Sequence, residues 1–123
     1  MSKASDAILL VDDDAAVRHA LKFSLEMEGF DVRLYPTPDA LLAENDLPAE
    51  GCLVIDYRMP EIDGLELVER LRSRGVTLPV FLISGRVTRS LRARASSLGI
   101  EDVLEKPLSD LAASIRPVLD ARP

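Results

Sequence analysis

The stretch CLVIDYRMPEIDGLELVERL, residues 52–71, decides the fold. It runs through Cys52, Leu53, Val54 and Ile55 into Asp56, breaks at Met59 and Pro60, and resumes with Leu65, Val68 and Leu71 at helical spacing before Gly75. A short apolar run, a polar break and an amphipathic segment make one strand–helix unit, with Asp63 placed to cap the helix.

The same unit recurs on both sides. Apolar runs appear at AILLV (7–11), DVRLY (31–35), PVFLIS (79–84) and EDVLE (101–105). Helical segments separate them: Val17, Ala20, Leu21, Ser24 and Leu25 share one face before Gly29, residues 38–45 start with Pro38 in the first turn, residues 86–98 carry Val87, Leu91, Ala95 and Leu98 in one stripe, and Leu108–Leu119 closes the chain with Pro117 expected to fray its end. Runs around Leu9, Val54 and Leu82 are apolar on both faces, as a central parallel strand requires, whereas 31–35 and 101–105 are more polar and belong near the edges. The predicted fold is therefore α/β, a doubly wound (βα)5 arrangement with a parallel sheet between two helical layers.

At 123 residues and 13.5 kDa the chain fits one compact domain. The single cysteine, Cys52, excludes an internal disulfide and a thiolate metal cluster, and its place in an apolar run makes it a small buried hydrophobe. A formal charge of −6 argues against general attraction to nucleic acid or to an anionic membrane. The apolar runs are too short to span a bilayer, and the opening residues, with Lys3 and Asp6, contain no apolar block followed by a cleavage site, so a cytoplasmic location is expected.

In an open parallel sheet, ligands bind at the carboxyl ends of the strands. Here those ends read Asp12-Asp13-Asp14, Asp56, Ser84-Gly85 and Glu105-Lys106-Pro107. Taken singly, each has a plain structural reading: Asp14 as a helix cap, Asp56 as a turn residue, Ser84 as a strand end and Lys106 as a solvated lysine. Their joint placement points elsewhere. Carboxylates about 4 Å apart repel by roughly 4 kcal/mol per pair at an effective dielectric near 20, so a cation must offset them. A hard divalent ion does this through oxygen ligands, and Lys106 with Ser84 suits the oxygens of a phosphoryl group. The set describes phosphoryl transfer to a carboxylate nucleophile.

These residues resemble the receiver domain of two-component response regulators, from LLVDDD through DYRMPEIDGLELVERL and FLISG to EKP, and YRMP followed by IDG looks closest to FixJ-type receivers. The resemblance implies a flavodoxin-like fold with strand order 2-1-3-4-5, one receiver domain over residues 1–123, and no effector domain within it. By position, Asp56 matches the phosphoacceptor that takes its phosphoryl group from a sensor histidine kinase or a phosphotransfer protein. Asp13 matches the direct metal ligand, Asp12 the acid that holds metal-bound water, and Arg58 the residue whose backbone carbonyl completes the site for Mg²⁺ or Mn²⁺. Lys106 matches the lysine contacting the phosphoryl group, Pro107 the proline after a cis peptide, and Ser84 the switch hydroxyl. Such a domain is a signalling phosphoacceptor rather than an enzyme acting on other substrates.

Val103 departs from the family, which commonly has an aromatic switch residue three positions before the lysine. A valine has restricted rotamers and no ring to swing. Ile100 is also bulkier than the usual alanine. Output is expected on the face of segment 86–98, strand 101–105 and the last helix, where a downstream protein docks; a phosphorylation-dependent homodimer is left open. Arg86, Arg89 and Arg92 lie on one side of 86–98, either as a solvated basic face or as a surface for an acidic partner, and Arg58 and Arg86 flank the site. His19 reads as an ordinary surface histidine. The alternative function is a receiver-like interaction module that works without phosphorylation, and Val103 is the residue that favours it. A haloacid-dehalogenase-like phosphatase fits less well, because its nucleophilic aspartate ends the first strand and its acidic pair comes last.

Overall fold

The computed structural model describes residues 6–108 and 110–121. Its strands are β1 (Ala7–Val11), β2 (Asp31–Tyr35), β3 (Gly51–Asp56), β4 (Val80–Ser84) and β5 (Asp102–Glu105). They form one parallel sheet in the order β2-β1-β3-β4-β5, as expected. The helices between them are α1 (Ala15–Met27), α2 (Pro38–Leu42), α3 (Gly64–Ser73), α4 (Arg89–Ser97) and α5 (Leu111–Asp120).

Strand periodicity sorts the core into two layers. Leu9, Val11, Leu53, Ile55, Val80 and Leu82 pack with residues of α2, α3 and α4, while Ile8, Leu10, Cys52, Val54, Phe81 and Ile83 pack with α1 and α5. Burial on both faces explains the nearly continuous apolar runs of β1, β3 and β4. The mixed burial of β2 and β5 marks the edges. Asp14 and Asp63 cap α1 and α3, and Gly29 and Gly75 follow those helices at φ +95° and +85°.

Three helices differ from their expected bounds. Helix α2 stops at Leu42 rather than running to 45, because Glu44 turns away to accept a hydrogen bond from Tyr35 Oη at 3.0 Å. Helix α4 begins at Arg89, not 86: Thr88 caps it through Leu91 N, and residues 85–87 form a loop bonded to Ser84 and Glu105. Helix α5 starts at Leu111, capped by Asp110, and continues through Pro117 to Asp120 instead of fraying there. Pro117 is exposed and its carbonyl still accepts from Ala121 N, while buried Leu111, Ala112, Ile115 and Leu119 hold the helix to the sheet.

Candidate functional site

The carboxyl ends of β1, β3, β4 and β5 meet at one edge, and the expected residues meet with them. Asp12 is 0% exposed and Asp56 only 5%, while Asp13 is exposed. One carboxylate oxygen from each of Asp12, Asp13 and Asp56 lies within 4.8 Å of the others. Oxygen-only donors at this spacing fit a hard divalent cation and suit soft metals poorly.

Lys106 enters from the start of the β5–α5 loop. Its Nζ lies 3.0 Å from Asp12 Oδ2 and 3.3 Å from Asp56 Oδ1, so one lysine serves both buried acids. Its backbone is fixed as well, with Lys106 N donating to Ser84 O at 2.8 Å and a cis bond to Pro107 following. Asp12 also accepts from Asp14 N through Oδ1 at 2.9 Å. Burial pushes Asp56 up to about 6, helped by the charge of Asp12 and opposed by Lys106. For Lys106, burial alone lowers the pKa, but the hydrogen bond to Asp12 and the charges of Asp56 and Asp12 outweigh it and the net shift is upward.

Ser84 is buried, and its Oγ donates to Arg86 O at 2.8 Å while accepting from Arg86 N at 3.3 Å. The hydroxyl thus closes its own loop. Val103 is buried in the layer with Leu91, Ala95 and Ile100. The side chains of Arg58 and Arg86 are exposed beside the site, the Arg58 guanidinium lying 5.9 Å from the centre of the Tyr57 ring.

The basic surface needs correction. Arg86 lies in the loop outside α4, so it does not continue a helical stripe with Arg89 and Arg92. Arg92 pairs across to β5, 3.3 Å from Asp102 Oδ1, leaving Arg89 as the exposed α4 arginine of that set without such a bridge among the described residues. The acid was invisible within residues 86–98 because it comes from the neighbouring strand.

Three further contacts escaped the sequence reading. Arg18 Nη1 donates to Asp12 O at 2.8 Å and fixes the backbone beneath the acidic pair; its place one turn after Asp14 was the available signal. Glu105 Oε1 accepts from Val87 N at 3.3 Å, and Arg94 Nη1 donates to Tyr57 Oη at 3.4 Å. Those two join segments far apart in the chain and leave no local pattern. No helix among the described residues is long and apolar enough to cross a membrane.

Comparison with known proteins agrees with this geometry. The family model for the response regulator receiver domain matches residues 8–116. Transcriptional regulatory protein FixJ of Bradyrhizobium diazoefficiens is 39% identical over 103 residues, covering 84% of this chain and 50% of that protein. Response regulator MprA of Mycobacterium avium is 40% identical over 116 residues, covering 91% of this chain and 50% of that protein. The chain thus spans about half the length of these relatives. Among solved structures, FixJ-N superposes with a TM-score of 0.86 at 30% identity over 100% of this chain and 98% of that one. Full-length FixJ from B. japonicum gives 0.86 at 36% identity over 96% of this chain and 59% of that one. By residues matched, identity and shape, the chain belongs to the response regulator receiver domain family.

Proposed function

We propose that this domain accepts a phosphoryl group on Asp56 from a phosphohistidine of a sensor histidine kinase or phosphotransfer protein and passes the change to the α4–β5–α5 face. The observation that carries this reading is the placement of Lys106 Nζ 3.0 Å from Asp12 and 3.3 Å from Asp56, within a buried acid cluster at a sheet edge. One oxygen of Asp56 attacks phosphorus in line. The P–N bond breaks, its electron pair stays on the imidazole nitrogen, and an acyl phosphate forms on Asp56. Lys106 holds the carboxylate in place before attack and meets the phosphoryl oxygens after it. Mg²⁺ or Mn²⁺ held by Asp12, Asp13, Asp56 and the carbonyl of Arg58 would supply charge neutralisation for the incoming phosphoryl group.

Once the acyl phosphate is present, Ser84 has a stronger acceptor than Arg86 O. Turning toward it frees the 85–88 loop that leads into α4. Moving from 99:1 inactive to 99:1 active takes about 5.5 kcal/mol of preference, which a few charge-assisted hydrogen bonds supply. Arg89 and Arg92 then belong to the surface met by a downstream protein.

Intact mass after incubation with Mg²⁺ and acetyl phosphate tests the reading. A base-labile gain of about 80 Da, the mass of one phosphoryl group, is expected in wild type and absent in Asp56→Ala. Val103 in place of a ring favours the second reading, a phosphorylation-independent module. No adduct with acetyl phosphate or a phosphorylated kinase establishes that alternative.

A further inference from the structure

Val103 offers no ring to connect Asp56 to α4. Tyr57, the residue after Asp56, has the required connections. Its backbone is held on both sides, Tyr57 N donating to Ile83 O and Gly64 N donating to Tyr57 O, each at 2.8 Å. Gly64 permits this close seat, since a Cβ there would lie 2.7 Å from Asp56 O and 2.8 Å from Leu82 Cδ1. The anchor is therefore rigid on the β4 side and the α3 side.

From that anchor the ring packs against the layer containing Leu91, Ala95 and Val103, and its Oη accepts from Arg94 Nη1 on α4 at 3.4 Å. Helix α4 has few other ties: Leu91 and Ala95 are its buried residues, Arg92 bridges at the surface to Asp102 on β5, and its first turn follows the loop closed by Ser84. An element with so little buried apolar surface moves at low cost. A ring whose backbone is fixed next to the phosphoacceptor and whose hydroxyl is bonded to that helix has the connections of a latch.

We propose that Tyr57 is a positioning residue that holds α4 in its unphosphorylated place through Arg94, taking over the aromatic coupling that Val103 cannot provide. This rests on Asp56 being the phosphoacceptor. Phosphorylation pulls Ser84 and the 85–88 loop toward Asp56 while the Tyr57 backbone stays fixed, so the Tyr57–Arg94 contact must yield as α4 follows.

Deuterium uptake of peptides covering residues 88–98 tests the latch in wild type, Tyr57→Phe, Arg94→Ala and the double variant, each with and without Mg²⁺ and acetyl phosphate, with intact mass recorded in parallel. Tyr57→Phe keeps the ring and removes only the hydroxyl, which preserves the fold. In unphosphorylated protein each single variant should exchange about two- to fivefold faster across α4, the equivalent of one modest hydrogen bond. The double variant should be no faster than the singles, and the phosphorylation-dependent change in α4 should shrink in all three. Wild-type uptake in unphosphorylated Tyr57→Phe, or additive effects in the double variant, overturns the latch. A wild type that never gains the phosphoryl mass overturns the phosphoacceptor reading instead, a result the mass measurement reports separately from exchange.

Discussion

Asp56 is under strain that its neighbours only partly relieve. Its carboxyl is buried against Asp12, and its pKa stands at about 6 against an ordinary 3.8. A raised acid pKa means that the folded protein binds the proton more tightly than the unfolded chain does. The stabilisation from the protonated form is therefore complete below about pH 4 and is lost as pH rises through about 6. Two pKa units correspond to about 3 kcal/mol. Asp56→Asn, which cannot ionise, should gain stability over wild type by up to that amount between those pH values in metal-free buffer, as read by urea unfolding. A constant difference across that range would show that Asp56 ionises without penalty. Lys106 carries the opposite duty: Lys106→Met should lower metal-free stability at pH 7 by about 1–3 kcal/mol, because two buried acids lose their shared cation, with a smaller loss at pH 4 where Asp56 is protonated. Equal losses at both pH values would assign Lys106 a packing role only.

At the level of elements, what was legible depended on whether the signal was local. The five strands and their edge or central placement followed from apolar runs of different purity, and the caps Asp14 and Asp63 from residues next to the helices they start. Asp12, Asp13, Asp56, Ser84 and Lys106 could be gathered because one topological rule brings all strand ends together. The partner of Arg92 and the contacts of Glu105 and Tyr57 could not, since each depends on a side chain delivered by another element, whereas the start of α4 turns on a local cap, Thr88, that the apolar stripe from Val87 overran. Helix α1 carries a further surface feature, and Ala20 and Ser24, expected on its core face, are exposed instead. Ala16, Ala20, Phe23 and Met27 fall within about 60° of arc at 100° per residue, all exposed, with Phe23 and Met27 at 69% and 73%. The stripe adjoins a cleft of about 390 Å³ lined by Val17, Ala20, Leu21, Lys106, Pro107 and Leu108, on the rim of the site. On the proposed function, a macromolecular phosphoryl donor brings its histidine to that rim, whereas acetyl phosphate needs no such surface. Phe23→Ser with Met27→Ser should therefore slow transfer from a phosphorylated kinase about tenfold, the loss of an aromatic anchor, and leave labelling by acetyl phosphate unchanged. Equal slowing with both donors would place the defect in the site itself.

Across the whole molecule, the site has no existence apart from the fold. Asp12, Asp56, Ser84 and Lys106 come from segments separated by most of the chain, and only the completed parallel sheet sets them side by side. An unfolded chain offers a cation scattered carboxylates, so an ion that binds the cluster binds the native state almost alone. Its binding energy must then appear as global stability rather than as local stiffening. At a hundredfold excess over its Kd, Mg²⁺ should add about 2.7 kcal/mol, which for a domain of this size moves Tm upward by about 8–11 °C. Because the core is a single sheet covered on both faces, the transition should remain single while it shifts. Asp13 is the proposed ligand to remove, since it is exposed and its loss leaves the core intact. Asp13→Ala should melt near wild type without Mg²⁺ and lose most of the Mg²⁺-induced shift in calorimetry. A shift of the same size in Asp13→Ala would put the ion somewhere other than this cluster, and a separate low-temperature transition in wild type would mean that the site forms and melts apart from the sheet that builds it.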